Sequence, residues 1–161
     1  MMQCGNLNNS VLNENEINAI SSVLEGFLVG RLKYSERVKH FLIMHQENSD
    51  KCTAYFCGRG SNGQRNDLYF RFGDYAFRNN HGKYIVVARI GFRYPNKGHG
   101  TALLKELCDF GEKFGYEYLA IESPNDDCQI FMKKLGFKDT YDMPIHELKK
   151  SIKNYQSRKL S

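Results

Sequence analysis

Apolar residues recur at helical spacing along the first part of the chain. "NENEINAISSVLEGFLVG", residues 13 to 30, sets Ile17, Ile20, Leu24 and Phe27 on one side of a helix. Asn13 followed by Glu16 resembles a capping box, and Gly30 suits the stop. "SERVKHFLIMHQEN" predicts a second helix from Ser35, with Val38, Phe41 and Leu42 inward.

The pattern then changes. "CTAYFC", "DLYFRFGDYAFR" and "KYIVVARIGF" are rich in β-branched and aromatic residues and predict three strands. "NNHG" between the second and third suits a hairpin. A glycine loop follows, then a helix over 98–115 whose inward stripe is Leu103, Leu107, Phe110 and Phe114. "YLAIES" reads as a short strand, "DDCQIFMKKLG" as a helix and "FKDTYDM" as another strand. Ile145, Leu148, Ile152 and Tyr155 put "PIHELKKSIKNYQ" in register for a last helix, with Pro144 in its first turn. The order α-α-β-β-β-α-β-α-β-α predicts one mixed α/β (α+β) domain without repeats or linkers.

Composition adds bounds. At 161 residues, 41% of them hydrophobic and 13% aromatic, the chain can close one core. No run is long enough to span a membrane, and "MMQCGNLNNS" has no basic-then-apolar signal pattern. A soluble, cytoplasmic protein with no membrane partner is expected. The net charge of +5 suits an anionic partner, or a solvated lysine-rich surface, since the basic residues are scattered. Cys4, Cys52, Cys57, Cys108 and Cys128 are odd in number and form no C-x-x-C. They read as reduced thiols filling gaps, and no metal site is expected.

Two glycine loops compete as anion sites. "GRGSNG", Gly58 to Gly63, matches G-x-G-x-x-G, but "QRNDLYFRF" after it reads as a strand. A dinucleotide loop needs a helix there to present free N–H groups to a pyrophosphate. "PNKGHGTALLKEL" matches neither the dinucleotide pattern nor the P-loop, yet its context is strand, loop, helix. Gly98 and Gly100 let the backbone approach a ligand, residues 97 to 101 expose unpaired N–H groups, and Lys97 adds charge. The competing reading is a plain tight turn between strand and helix.

"VVARIGFRYPNKGHGTALL" resembles motif A of the GNAT family of N-acetyltransferases, whose loop reads Q/R-x-x-G-x-G/A. "YLAIESPNDDCQIFMKKLGF" resembles that family's motif B, at a matching spacing. The resemblance covers about residues 51–143. It implies a sheet splayed between its fourth and fifth strands, with acetyl-CoA as co-substrate in the gap. It implies that Lys97, Gly98, His99, Gly100 and Thr101 hold the CoA pyrophosphate. Backbone groups of Ile90, Gly91 and Phe92 would line the acetyl end, and Asn125 and Phe131 would touch the CoA arm. The implied activity is acetyl transfer to a primary amine by direct attack in a ternary complex.

Three departures stand out. Pro95 occupies the Q/R position and has neither side-chain donor nor N–H. Met132 stands where many members carry a tyrosine acid. No clear strand precedes the first helix, and the family's last strand falls on the helix after Pro144.

Glu122, near the end of "YLAIES", is the candidate base; its competing reading is a surface salt bridge. Tyr141 and Tyr94 are candidate acids, or rim tyrosines. His99 reads as a half-buried structural histidine and Met132 as packing. The first two helices and "GRLKYS" match the region that shapes the acceptor site, where Arg31 and Lys33 hint at an anionic acceptor. The acceptor stays open among an amine-bearing small molecule, a protein and an aminoacyl-tRNA, and a homodimer is left open too. Two other readings survive: a CoA-binding module without catalysis, and a basic protein that grips nucleic acid or a protein partner.

Overall fold

The computed structural model describes residues 11–59 and 65–160. Helix α1 (Glu14–Gly30) leads to strands β1 (Leu42–His45), β2 (Lys51–Arg59), β3 (Arg65–Phe77) and β4 (Asn80–Gly91). Then come α2 (His99–Lys113), β5 (Tyr118–Ile121), α3 (Asp126–Lys134), β6 (Asp142–Pro144) and α4 (Ile145–Lys159). The strands form one mixed sheet in the order β1-β2-β3-β4-β5-β6. Only β4 and β5 run parallel, because α2 crosses between them.

Alternation along the strands divides the apolar side chains between two faces. Ile85, Val87, Leu119 and Ile121 face the main core, where Leu24 of α1, Leu107 of α2, Met132 of α3 and Leu148 of α4 meet them. Tyr84, Val86 and Ala120 cluster apart, with Tyr75, Phe77 and Tyr118 against them. The Tyr84 hydroxyl donates to the Asp142 carboxylate at 2.7 Å, and Asn80 Nδ2 donates to the same oxygen at 3.0 Å. These bonds fasten the three-residue β6 to β4.

α1 starts where its cap predicts: Asn13 Oδ1 accepts from Glu16 N at 2.9 Å. The second predicted helix is corrected. Residues 36–38 form a turn, and Leu42–His45 pairs antiparallel with Cys52–Tyr55 as the edge strand β1. Phe41 is buried as predicted, but Val38 is 51% exposed and Leu42 59%. Helical spacing over three residues coincided with an outward residue beside a buried one. The predicted strand "FKDTYDM" is also corrected, to Asp142–Pro144, because Tyr141 turns with φ +60° just before it. Pro144 ends β6 and caps α4, so the helix begins one residue later.

The hairpin joins Phe77 to Asn80 through Arg78 and Asn79, slightly ahead of the predicted "NNHG". In "GRGSNG" residues 60–63 lie outside the described residues. The loop is flanked by paired strands, Arg59 opposite Arg65, and a strand follows it as predicted. Gly58 itself is a packing position, since a Cβ there would collide with the Tyr34 phenol.

Cys52, Cys57, Cys108 and Cys128 are free thiols, and Cys4 lies outside the described residues. Burial pushes the Cys52 thiol up to about 11 and the Cys108 thiol up to about 12, so both stay protonated near neutral pH. Among the described residues no helix is long and apolar enough to cross a membrane.

One irregularity positions the site. β3 and β4 pair regularly up to Phe70 opposite Val87, and the next pair is Tyr69 opposite Arg89. Ala88 is the extra residue of a β-bulge, a device common beside active sites.

Candidate functional site

The site begins where two parallel strands part. β4 and β5 are paired from Tyr84 opposite Tyr118 to Val87 opposite Ile121. A last bond runs from Glu122 N to Val87 O at 2.9 Å. β4 continues to Gly91, so its β5-facing edge has no strand partner from Ala88 onward among the described residues. An unpaired edge offers N–H and C=O groups to any extended ligand that can run alongside it.

The loop after β4 is fastened at its start. Arg93 N donates to Asn66 Oδ1 at 2.9 Å, and Asn66 Nδ2 donates to the Tyr34 hydroxyl at 2.7 Å. Asn96 and Gly98 then take left-handed φ of +61° and +76°, which turns the chain into α2. Gly98 is the cap residue, and no side chain closes the helix start. The first internal bond runs from Ala102 N to Gly98 O at 3.1 Å. The N–H groups of His99, Gly100 and Thr101 therefore have no carbonyl within the helix. α2 also carries no acid in its first turn, whereas α1, α3 and α4 each carry at least one.

Arg31, the C-cap of α1, reaches this loop. Its Nη2 donates to Lys97 O at 2.7 Å and its Nε to His99 Nδ1 at 3.1 Å. A Cβ on Gly98 would lie 3.1 Å from that guanidinium, so both φ and space call for glycine. Accepting at Nδ1 puts the proton of a neutral His99 on Nε2. Burial first, then the charges of Arg31 and Lys97, hold the His99 pKa below its ordinary value. Its ring rests 5.3 Å from that of Phe92.

A cleft of about 650 Å³ lies between the free strand edge and the open helix start. Ile90, Gly91 and Phe92 form its β4 wall. Gly98, His99, Gly100 and Thr101 form the loop wall, and Asn125 and Phe131 stand opposite on α3 and its cap. Lys97 is not among the walls; its carbonyl is held by Arg31. A Cβ on Gly100 would lie 3.5 Å from the Phe131 ring and 4.0 Å from Phe92, so the cleft narrows there to the width of a bare backbone. Asn125 Oδ1 accepts from Cys128 N at 2.9 Å and caps α3.

The predicted acid–base residues separate. Tyr94 lines the cleft and is half exposed, with the Arg93 guanidinium 5.0 Å from its ring centre. Tyr141 stands outside the walls, under Arg78, and its carbonyl accepts from Ile121 N. Glu122 is also outside them, in an ion pair with Arg71 that matches its salt-bridge reading. Arg71 lies opposite Val86 in the ladder, on the sheet face away from the main core. Met132 is buried in the core, as its packing reading has it.

Sequence reasoning missed three contributors. The bulge at Ala88 leaves no compositional mark in a continuous apolar run. Arg31 was noted only for the acceptor region, and its contact with the loop spans more than sixty residues. Lys134, Tyr155 and Lys159 line the far end of the cleft, and Tyr155 was read only as part of a helical stripe. As assembled, the cleft suits an elongated ligand with amide-like groups at one end and an anion at the bend. No family model matches this sequence, and no curated protein sequence matches it.

Proposed function

We propose that the cleft binds acetyl-CoA and that the chain is an N-acetyltransferase of the GNAT type. The observation that carries this reading is the free β4 edge running directly into an uncapped helix start. The pantetheine arm has two amides and can lie along Ala88–Gly91 as a missing strand would. The N–H groups of His99, Gly100 and Thr101 then meet the pyrophosphate, in the order in which CoA presents its parts. β4 and β5 part after Val87 and Ile121, in keeping with the splayed sheet the resemblance implies. Arg31 brings a guanidinium to the loop whose motif position, Pro95, has no donor.

Acetyl-CoA supplies an activated thioester. The chain's own part is to hold the carbonyl oxygen with a β4 N–H and to bring a neutral amine to the thioester carbon. A C–N bond forms and the C–S bond breaks. Sulfur leaves as a thiolate and takes up a proton, while nitrogen loses one. A thiol pKa of about 8.5 lets the thiolate leave near neutral pH with little help. That suits a chain whose Met132 is packed away. Tyr94 is the tyrosine placed to donate, and its loss lowers the rate by at most the ~10²–10⁴ of a general acid. A CoA-binding module without turnover is the second reading, favoured by the Arg71 ion pair that engages Glu122.

Gly100→Trp tests the site. The indole would fill the narrow point between Phe92 and Phe131. Calorimetry should show CoA affinity reduced about a hundredfold or more, with the thermal melt close to wild type. Unchanged affinity would exclude this cleft as the CoA site. Turnover of acetyl-CoA by the wild type against a panel of amines separates enzyme from binding module.

A further inference from the structure

The cleft does not stop at the glycine loop. It continues between the last turns of α3 and α4, where Lys134, Tyr155 and Lys159 form its walls. The same three side chains, with Arg158, enclose a second hollow of about 210 Å³.

The packing of α4 explains this placement. Near its start, Ile145 sits over Gly111 in the last part of α2, where a Cβ would collide with it. One turn later Lys149 Nζ bridges Asp109 at 3.0 Å and Glu112 at 2.6 Å. The two helices thus run in opposite directions, and the last turn of α4 returns towards the open start of α2. Both α3 and α4 end in basic pairs, Lys133–Lys134 and Arg158–Lys159, where cations offset the helix dipole. Tyr155 is half-buried against the core, and Lys159 Nζ lies 4.9 Å from its ring centre. An aromatic ring and cations from two helices therefore face an opening continuous with the anion-binding loop. No acidic side chain lines the 210 Å³ hollow.

Aromatic faces stack on nucleobases, and lysine ammonium groups pair with phosphate oxygens. We propose that this end of the cleft is a subsite for a phosphorylated nucleoside, the 3′-phosphoadenosine end of CoA. Tyr155 lies against the base, and Lys134 and Lys159 reach the 3′-phosphate. The inference rests on the CoA reading of the cleft. The motif resemblance does not supply it, because α4 stands where that resemblance implies a strand.

Dephospho-CoA differs from CoA only by the 3′-phosphate, so calorimetry of the whole chain with both ligands isolates the subsite. Wild type should bind CoA about tenfold more tightly than dephospho-CoA in dilute salt, and the gap should narrow as salt is added. Lys134→Ala combined with Lys159→Ala should bring CoA down to the dephospho-CoA level and leave dephospho-CoA unchanged. Both lysines are exposed, so the fold tolerates the change. Tyr155→Leu should weaken both ligands by a similar factor, about threefold, and keep their ratio. Equal affinities in the wild type, or an unchanged ratio in the double variant, overturn the subsite and leave the CoA reading standing. Failure of the wild type to bind either ligand overturns the reading of the cleft, and the subsite with it.

Discussion

Two helices begin at the same cleft and begin differently. α3 is closed at its start: Asn125 caps it, and Asp126 and Asp127 neutralise its dipole. α2 is open: Gly98 offers no side chain, and no acid follows in the first turn. A helix start with its own cap has spent its N–H groups on itself. One without a cap keeps them for a visitor, and Arg31 and Lys97 set positive charge beside it. The difference teaches that a helix N-terminus in a cleft is an anion site only when the chain declines to satisfy it.

His99→Asp breaks the comparison most strongly, because it gives α2 the acid that α3 has. CoA affinity should fall about tenfold or more, as a carboxylate occupies the space the pyrophosphate needs. Stability should change little: the dipole gains ~0.3–1 kcal/mol and the lost packing on Phe92 offsets it. Calorimetry and a urea melt on one preparation check both halves. Unaltered CoA affinity would show that the openness of α2 is incidental.

Asn125→Ala opens α3 in turn. It should cost about 1 kcal/mol of stability and change CoA affinity less than threefold. A loss of affinity that exceeds the loss of stability would assign Asn125 to the ligand, as the motif resemblance implies, rather than to the helix.

The smallest effect concerns pH. His99 has a folded pKa below its unfolded value of about 6.5. Its contribution to stability is therefore complete above that value and is lost as pH falls below it, where the unfolded chain takes up the proton first. Arg31→Ala removes one cause of the depression and leaves burial and Lys97. An NMR titration should find the His99 pKa raised towards its ordinary value, and the acid-side loss should shrink. A His99 titration that does not move would separate Arg31 from the loop.

What the sequence revealed follows contact distance. The glycine loop was legible because strand, turn and helix lie within about twenty residues and each has a local signature. The α1 cap and the stripe of α2 were legible for the same reason. β1 was not, since an edge strand of four residues draws its identity from pairing with β2. Phe41 and Leu42 alone fit a helix equally well. Arg31 and Tyr155 reach the cleft from remote helices, and nothing near them in sequence says where those helices dock.

Ala88 has one more effect, on parity. Up to the bulge the odd-numbered Ile85 and Val87 look towards the helices; after it the even-numbered Ile90 and Phe92 pack against that core. Strict alternation would have sent Arg89 inward instead. As it is, Arg89 stays outside with the Asp67 carboxylate, and hydrocarbon lines the cleft where a thioester has to lie. A single supernumerary residue thus decides whether the floor of the cleft is oily or cationic.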